Sequence, residues 1–197
     1  MEACSMKIVT GLLFLLFGLL NCSSLTSLNK DPLYEKKVNF TKRITVYIGN
    51  QSNITKMEQN TLSDITRDLL SHHKEFIVYK SPPKFSGCSR DLNKIEGIFH
   101  VLLKQEQVQN DLKLELTGSF LQCPDAKSIW TATVKKSFNL NSSDNESLRS
   151  TYIQKYGMGI GNRVNPYFQI VNLLIEYLES PQLTDEEKDE KIEVESV

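Results

Sequence analysis

Residues 97–138 read GIFHVLLKQEQVQNDLKLELTGSFLQCPDAKSIWTATVKKSF, and apolar and polar side chains alternate along much of their length. A β-strand sends successive side chains to opposite faces, so a period of two marks a strand with one buried side. Leu112, Leu114, Leu116 and Phe120 form one such set, and Trp130, Ala132, Val134 and Phe138 form another. Gln122–Lys127 between them, with Pro124 and Asp125, reads as a hairpin connection. Gly97–Lys104 is a more apolar strand ahead of both. The stretch from Ile98 to Phe138 is therefore predicted to be an antiparallel meander with one apolar face that needs a cover.

The cover flanks the meander in sequence. Upstream, Ile44, Val46 and Ile48 alternate with Thr45 and Tyr47 as a short strand. Thr55-x-x-Glu58 is a capping-box pattern, and Leu62, Ile65 and Leu69 at spacings of three and four make one buried helical stripe. Phe76–Tyr79 follows as a second strand. A strand-helix-strand unit of this size places two parallel strands side by side. Ser81–Ser89, with two prolines and a glycine, then breaks regular structure. Downstream, Ser143-x-x-Glu146 opens a helix carrying Leu148, Tyr152 and Tyr156, which Gly157, Gly159 and Gly161 end. Asn165-Pro166 restarts it with a cap and a first-turn proline. The expected fold is an α+β two-layer sandwich, with a mixed sheet of about five strands under two or three helices.

The helix from Pro166 to Glu179 has a narrow polar stripe of Gln169, Asn172, Glu176 and Glu179. Two readings fit such a helix: it lies deep in the core, or a partner covers what the sheet does not. On the second reading some of Tyr167, Phe168, Ile170, Leu174 and Tyr177 are expected to stay partly exposed and form the partner contact.

The ends of the chain carry a different signal. Lys7 and the unbroken apolar run Ile8–Leu20 have the form of an export signal too short for a comfortable membrane span. Leu19-Leu20-Asn21-Cys22 resembles the bacterial lipobox, whose cysteine is diacylated and becomes the first mature residue. Leu20 and Asn21 depart from its usual residues, as the looser boxes of spirochaetal lipoproteins do. Ordinary cleavage near Asn21 or Ser24, or an uncleaved anchor, are the alternatives. The predicted layout is a signal peptide over 1–21, lipidation at Cys22, a polar tether over 22–40, an α/β domain over 41–180 and a tail over 181–197. Residues Thr184–Val197 hold seven acids against Lys188 and Lys191. Such a tail reads as solvated and disordered, the alternative being that it masks a basic surface of its own domain.

With Cys4 in the signal and Cys22 acylated, Cys88 and Cys123 remain. An even pair in an oxidising compartment reads as a disulfide, with zinc as the rival because His72, His73 and His100 are at hand. No CxxC or HxxxH spacing supports the metal, and none is expected. Asn39, Asn50, Asn53, Asn141 and Asn145 begin Asn-x-Ser/Thr triplets, which keep a eukaryotic secreted glycoprotein as a minor alternative.

The order of elements resembles that of several envelope proteins: the N-terminal domain of TolB, the curli secretion lipoprotein CsgG and peptidoglycan-synthase activators of the LpoB type. The local match lies in Ile95–Leu103, in Leu112–Thr117 and in Ile129–Val134, with Gly97 before a strand and Trp130 opening a returning one. Ala126 stands where those hairpins usually turn at glycine. The lipopolysaccharide-assembly lipoprotein LptE has a similar element order. Size, signal and cysteine pattern resemble an uncharacterised envelope lipoprotein family of spirochaetes and myxobacteria.

No catalytic pattern stands out. There is no Gly-x-Ser-x-Gly elbow. Gly157-x-Gly159-x-Gly161 follows a helix instead of a strand and lacks the spacing of a dinucleotide loop. His100 within an apolar strand reads as a core histidine, and Asp91 with Glu96 as surface carboxylates. No basic aromatic stripe points to nucleic acid. The sequence reading is a non-enzymatic outer-membrane lipoprotein, anchored by lipid and facing periplasm or medium. It needs no cofactor, binds an envelope protein partner in envelope assembly or secretion, and leaves homo-oligomerisation open. The alternative is a periplasmic enzyme or a carrier of a small ligand or lipid.

Overall fold

The computed structural model describes residues 24–49, 54–80, 88, 94–141 and 146–196. Six strands form one mixed sheet: β1 (Ser24–Lys30), β2 (Arg43–Ile48), β3 (Ile77–Tyr79), β4 (Gly97–Val108), β5 (Asp111–Gln122) and β6 (Lys127–Asn139). Their spatial order is β1-β6-β5-β4-β2-β3. The helices are α1 (Tyr34–Val38), α2 (Lys56–His73), α3 (Glu146–Tyr156), α4 (Val164–Ile175) and α5 (Asp185–Glu195), with a 3-10 turn at Met158–Ile160. The fold is α+β, and the sheet is open.

The meander forms as the alternation requires. Strand β5 pairs antiparallel with both β4 and β6, placing Val101 beside Gly118 and Gly118 beside Ala132. Phe99, Val101, Leu103, Leu112, Leu114, Leu116, Phe120, Trp130 and Val134 are all buried. Strand β2 runs parallel to both β3 and β4, the outcome expected of a strand-helix-strand unit. A two-sided capping box at Thr55 and Glu58 starts α2, which turns Leu62, Ile65, Leu69 and Leu70 into the core.

Helix α4 reaches the sheet through a gap between side chains. A Cβ at Gly118 would sit 2.8 Å from Leu174 and 3.2 Å from the rings of Phe99 and Trp130. Glycine there lets a leucine approach a strand between two aromatic rings. The Trp130 indole N–H donates to the Tyr177 carbonyl at 3.1 Å, tying β6 to the chain just past α4.

Two segments differ from the sequence reading. Residues expected as a tether over 22–40 are folded from Ser24 onward. Strand β1 pairs antiparallel with β6 from Ser24↔Lys135 to Lys30↔Trp130, and α1 buries Tyr34 and Val38. Six of the seven β1 side chains are exposed, so its order comes from the backbone ladder, which leaves no apolar pattern in sequence.

The acidic tail expected to be disordered over 181–197 forms α5 against β3 and the start of β2. A second two-sided capping box, Thr184 with Glu187, opens α5, and none of its side chains is buried. Charge holds it. Glu187 accepts from Lys42 at 2.6 Å, and Glu190 accepts from the Arg43 guanidinium at 2.6 Å and from the Tyr79 hydroxyl. Lys191 donates to the Lys74 carbonyl at 2.9 Å. Beneath α5, Glu96 accepts from the Lys42 and Arg43 backbone amides at 2.7 and 3.0 Å.

A disulfide joins Cys88 to Cys123, whose Cα atoms lie 5.3 Å apart. It links the connection between β3 and β4 to the turn between β5 and β6. Their separation of 35 residues is worth roughly 4 kcal/mol on the chain-entropy account.

Two outcomes follow from these features. Hydrogen bonds from Arg43 first, with help from Tyr79, hold the Glu190 carboxyl below its ordinary value, and Glu187 is likewise depressed, its burial being outweighed by Lys42 and the Thr184 backbone. Depressed carboxylates stabilise the docked state above the ordinary glutamate value of about 4.3 and lose that effect as pH falls through their folded values. Amide protection in α5 is therefore expected to fall as the pH drops below about 4.3 while that of β5 persists, and Glu190→Gln should lower α5 protection about tenfold or more at neutral pH. Ala126 sits at φ +52°, where a side chain is strained and glycine is not. Ala126→Gly is expected to raise the unfolding free energy by about 0.5–1 kcal/mol in chemical denaturation.

Candidate interaction site

Helix α4 was the predicted source of partner contacts, and most of its apolar surface is core. Tyr167, Ile170 and Leu174 have no measurable exposure. The assignment of these three as contacts is corrected: in the folded domain they touch only the protein itself. The polar stripe is narrow because α4 is covered on three sides, by β5 and β6 beneath and by α2 and α3 beside it. Burial, reinforced by the nearby Glu58 charge, pushes the Tyr167 phenol far above its ordinary value. Its hydroxyl lies 2.9 Å from Gln105 Oε1 and 3.3 Å from Glu58 Oε1.

Phe168 and Tyr177 are half-buried. Phe168 lines a groove of about 350 Å³ between α2, α3 and α4. Ile65, Leu69, Leu148 and Tyr152 supply its other apolar walls, and Asp68, His72, His73 and Lys155 its polar ones. A second, smaller depression of about 190 Å³ is lined by Phe168 together with Lys136, Gln169, Asn172, Leu173 and Glu176. Phe168 thus lines both concavities.

A polar network sets the groove by fixing α3 on α2. Asp64, 8% exposed, accepts from the Tyr156 hydroxyl at 2.5 Å and from Lys155. Burial works to raise the Asp64 carboxyl, but those two hydrogen bonds and the Arg67 charge outweigh it and hold the group below its ordinary value. One turn on, Asp68 accepts from the Tyr152 hydroxyl at 2.9 Å. The Tyr152 and Tyr156 rings stack 6.5 Å apart. The pattern was present in sequence as acids at 64 and 68 facing tyrosines at 152 and 156, each pair four apart.

The other polar residues singled out in sequence lie apart from this groove or serve it structurally. His72 Nδ1 lies 2.6 Å from the Asp68 carbonyl in the last turn of α2. His100 is half-buried on the open face of the sheet, beside Tyr47 at 5.3 Å, and desolvation lowers its pKa. The expectation of a core position failed because Phe99 and Val101 take the helix side of β4 and His100 takes the other. Next to it the open face carries a hydroxyl ladder, with Thr117 and Thr133 3.0 Å apart and Ser119 and Thr131 3.4 Å apart. Glu96 is engaged by Lys42 and Arg43, while Asp91 lies outside the described residues. Cys22, the signal segment, Ser143 and the triplet residues Asn50, Asn53 and Asn145 lie outside them as well. Among the described residues no three His, Cys, Asp or Glu side chains are grouped to hold a metal, and no helix is long and apolar enough to cross a membrane.

No family model and no curated protein matches the sequence. Solved structures do match the fold. The PelC dodecamer from Paraburkholderia phytofirmans aligns with a TM-score of 0.55 and 11% identity, over 82% of this chain and 100% of that one. A single-substitution variant of PelC, also a dodecamer, aligns over the same shares with a TM-score of 0.51 and 11% identity. The hypothetical protein CT253 from Chlamydia trachomatis gives a TM-score of 0.42 and 13% identity over 69% of this chain and 97% of that one. At 11% identity, what this chain shares with PelC is the fold.

Proposed function

We propose that this chain is an outer-membrane lipoprotein anchored through Cys22, and that its domain works by binding, as a homo-oligomer, in envelope assembly or secretion. The oligomer rests on one observation: the PelC structures aligned over their whole length are dodecamers. The anchor is supported by Lys7, the apolar run Ile8–Leu20 and Cys22 in succession. Binding in place of catalysis is supported by the use already made of the acidic side chains around the groove. Asp64 and Asp68 hold α3, and Glu58 caps α2 and pairs with Arg163 at 3.4 Å. Phe168, half-buried between two concavities, is the side chain best placed to enter a partner.

Three measurements test this reading. Labelled palmitate is expected to enter the wild-type chain and be absent from Cys22→Ser, which should leave the membrane fraction; equal labelling of both refutes the anchor. Light scattering of the mature protein in mild detergent should give a particle of several copies, and a monomer at micromolar concentration overturns the oligomer. Phe168→Ser should weaken assembly by roughly thirtyfold, as loss of an aromatic anchor worth about 2 kcal/mol does, with little change in melting temperature. Leu174→Ala should instead cost about 2–5 kcal/mol of stability. If Phe168→Ser behaves like Leu174→Ala and leaves assembly intact, the groove is core and not a contact.

A further inference from the structure

The tether expected between lipid and domain does not exist beyond Ser23, because Ser24 is already paired to Lys135 in the sheet. Two Cα steps separate Cys22 from Ser24, so the Cα of Cys22 lies within about 7–8 Å of the first sheet residue whatever path Ser23 takes. An anchor that short brings one end of the sheet to the bilayer surface.

That end is defined by the register. From the Ser24↔Lys135 pair, β6 runs on to Asn139, which pairs with Asp111 at the tip of the β4–β5 hairpin. Four further residues of strand extend about 14 Å, roughly twice the backbone span from Ser24 to Cys22. With the strands directed at the bilayer, the hairpin tip is the part of the domain that meets it first.

The same end carries exposed apolar side chains. Val108 at the tip is 58% exposed, Met158 74% and Met57 39%. Contacts join them into one rim. Gln107 accepts from Arg163, Arg163 lies 3.4 Å from Glu58 beside Met57, and the Met57 sulfur is 3.7 Å from the position of a Cβ on Gly159. Charge contributes little. Lys104, Lys113, Lys135 and Lys136 are offset by Glu106, Asp111 and Glu115, with Glu115 shared by Lys104 and Lys135 at 3.2 and 2.7 Å. The rim suits a phospholipid surface by its apolar side chains and does not require anionic lipid. At the other end of β1, Leu33 and Phe40 are equally exposed at 60% and 68%, but six strand residues, about 20 Å, separate them from the anchor side.

We infer that the hairpin end of the domain, led by Val108 and Met158, rests in the interface of a phospholipid bilayer beneath lipidated Cys22. This inference rests on the anchor reading above. It fixes the orientation of the sheet, with strands β4 and β5 upright on the membrane and the Leu33–Phe40 end pointing away.

Tryptophan quenching tests it on the full mature lipoprotein. Trp130 is 1% exposed and serves as an internal reference. Val108→Trp, Met158→Trp and Phe40→Trp variants are reconstituted into phosphatidylcholine vesicles with and without brominated phosphatidylcholine, and intact mass is measured on the same samples. The introduced indoles at 108 and 158 should lose most of their emission to the brominated lipid, whereas wild type and Phe40→Trp keep theirs. Replacing part of the lipid with phosphatidylglycerol, or adding salt, should leave the quenching unchanged. Acylated protein in which position 108 is not quenched, or position 40 is quenched instead, overturns the orientation while leaving the anchor intact. An indole at 108 that is shifted to the blue without quenching means that protein covers the tip, and also overturns it. If the mass shows no acyl chains on Cys22, the anchor itself is lost and the orientation with it.

Discussion

The seating of the helices on the sheet depends on the close approach of Leu174 to the backbone of Gly118. A helix can lie on a sheet in many ways, but a leucine lodged over a glycine, flanked by Phe99 and Trp130, allows one position along the strand and one rotation about the helix axis. The neighbouring strands keep the seat narrow, since Ala132 and Val101 flank Gly118 in the ladder. Once α4 is held there, Tyr167 and Ile170 must face inward, α2 is pressed alongside, and α3 closes over the gap between them. The hydrogen bond from Trp130 to the Tyr177 carbonyl then fixes the exit of the chain toward α5.

How much of this was legible depends on where each element draws its stability. The meander and the parallel unit are stabilised by apolar faces of regular period, and the period is visible in Leu112, Leu114, Leu116 and in Ile44, Val46, Ile48. Strand β1 and helix α5 draw theirs from elsewhere. β1 offers a backbone ladder to β6, and almost any sequence can do so. α5 is held by side chains 111 to 147 positions away, a pairing no local pattern encodes. Even so, its capping box at Thr184 and Glu187 is written in the same four-residue form as the one at Thr55 and Glu58, and net charge obscured it.

The five candidate contacts on α4 and just beyond it divide for a related reason. A narrow polar stripe on a helix measures how much of it is covered and says nothing of what does the covering. Tyr167, Ile170 and Leu174 are covered from within, which left Phe168 and, at the end, Tyr177 as the residues of that set with surface to offer. The groove beside Phe168 owes its shape to Asp64 and Asp68, whose spacing was plain but whose tyrosine partners lie 84 to 92 residues downstream.

The pairing of Arg43 with Glu190 also constrains how the chain comes to be folded. During synthesis the chain emerges from its amino end, so β2 with its guanidinium is delivered long before the carboxylate that neutralises it, 147 residues later. For that interval β3 remains an uncovered sheet edge beside a cluster of positive charge, the kind of edge that recruits strands from other chains. Closure by α5 is among the last events of folding and guards the edge against association once it has formed. A molecule shortened by a dozen residues would keep its core and lose this guard, and its failing would be one of solubility before one of stability.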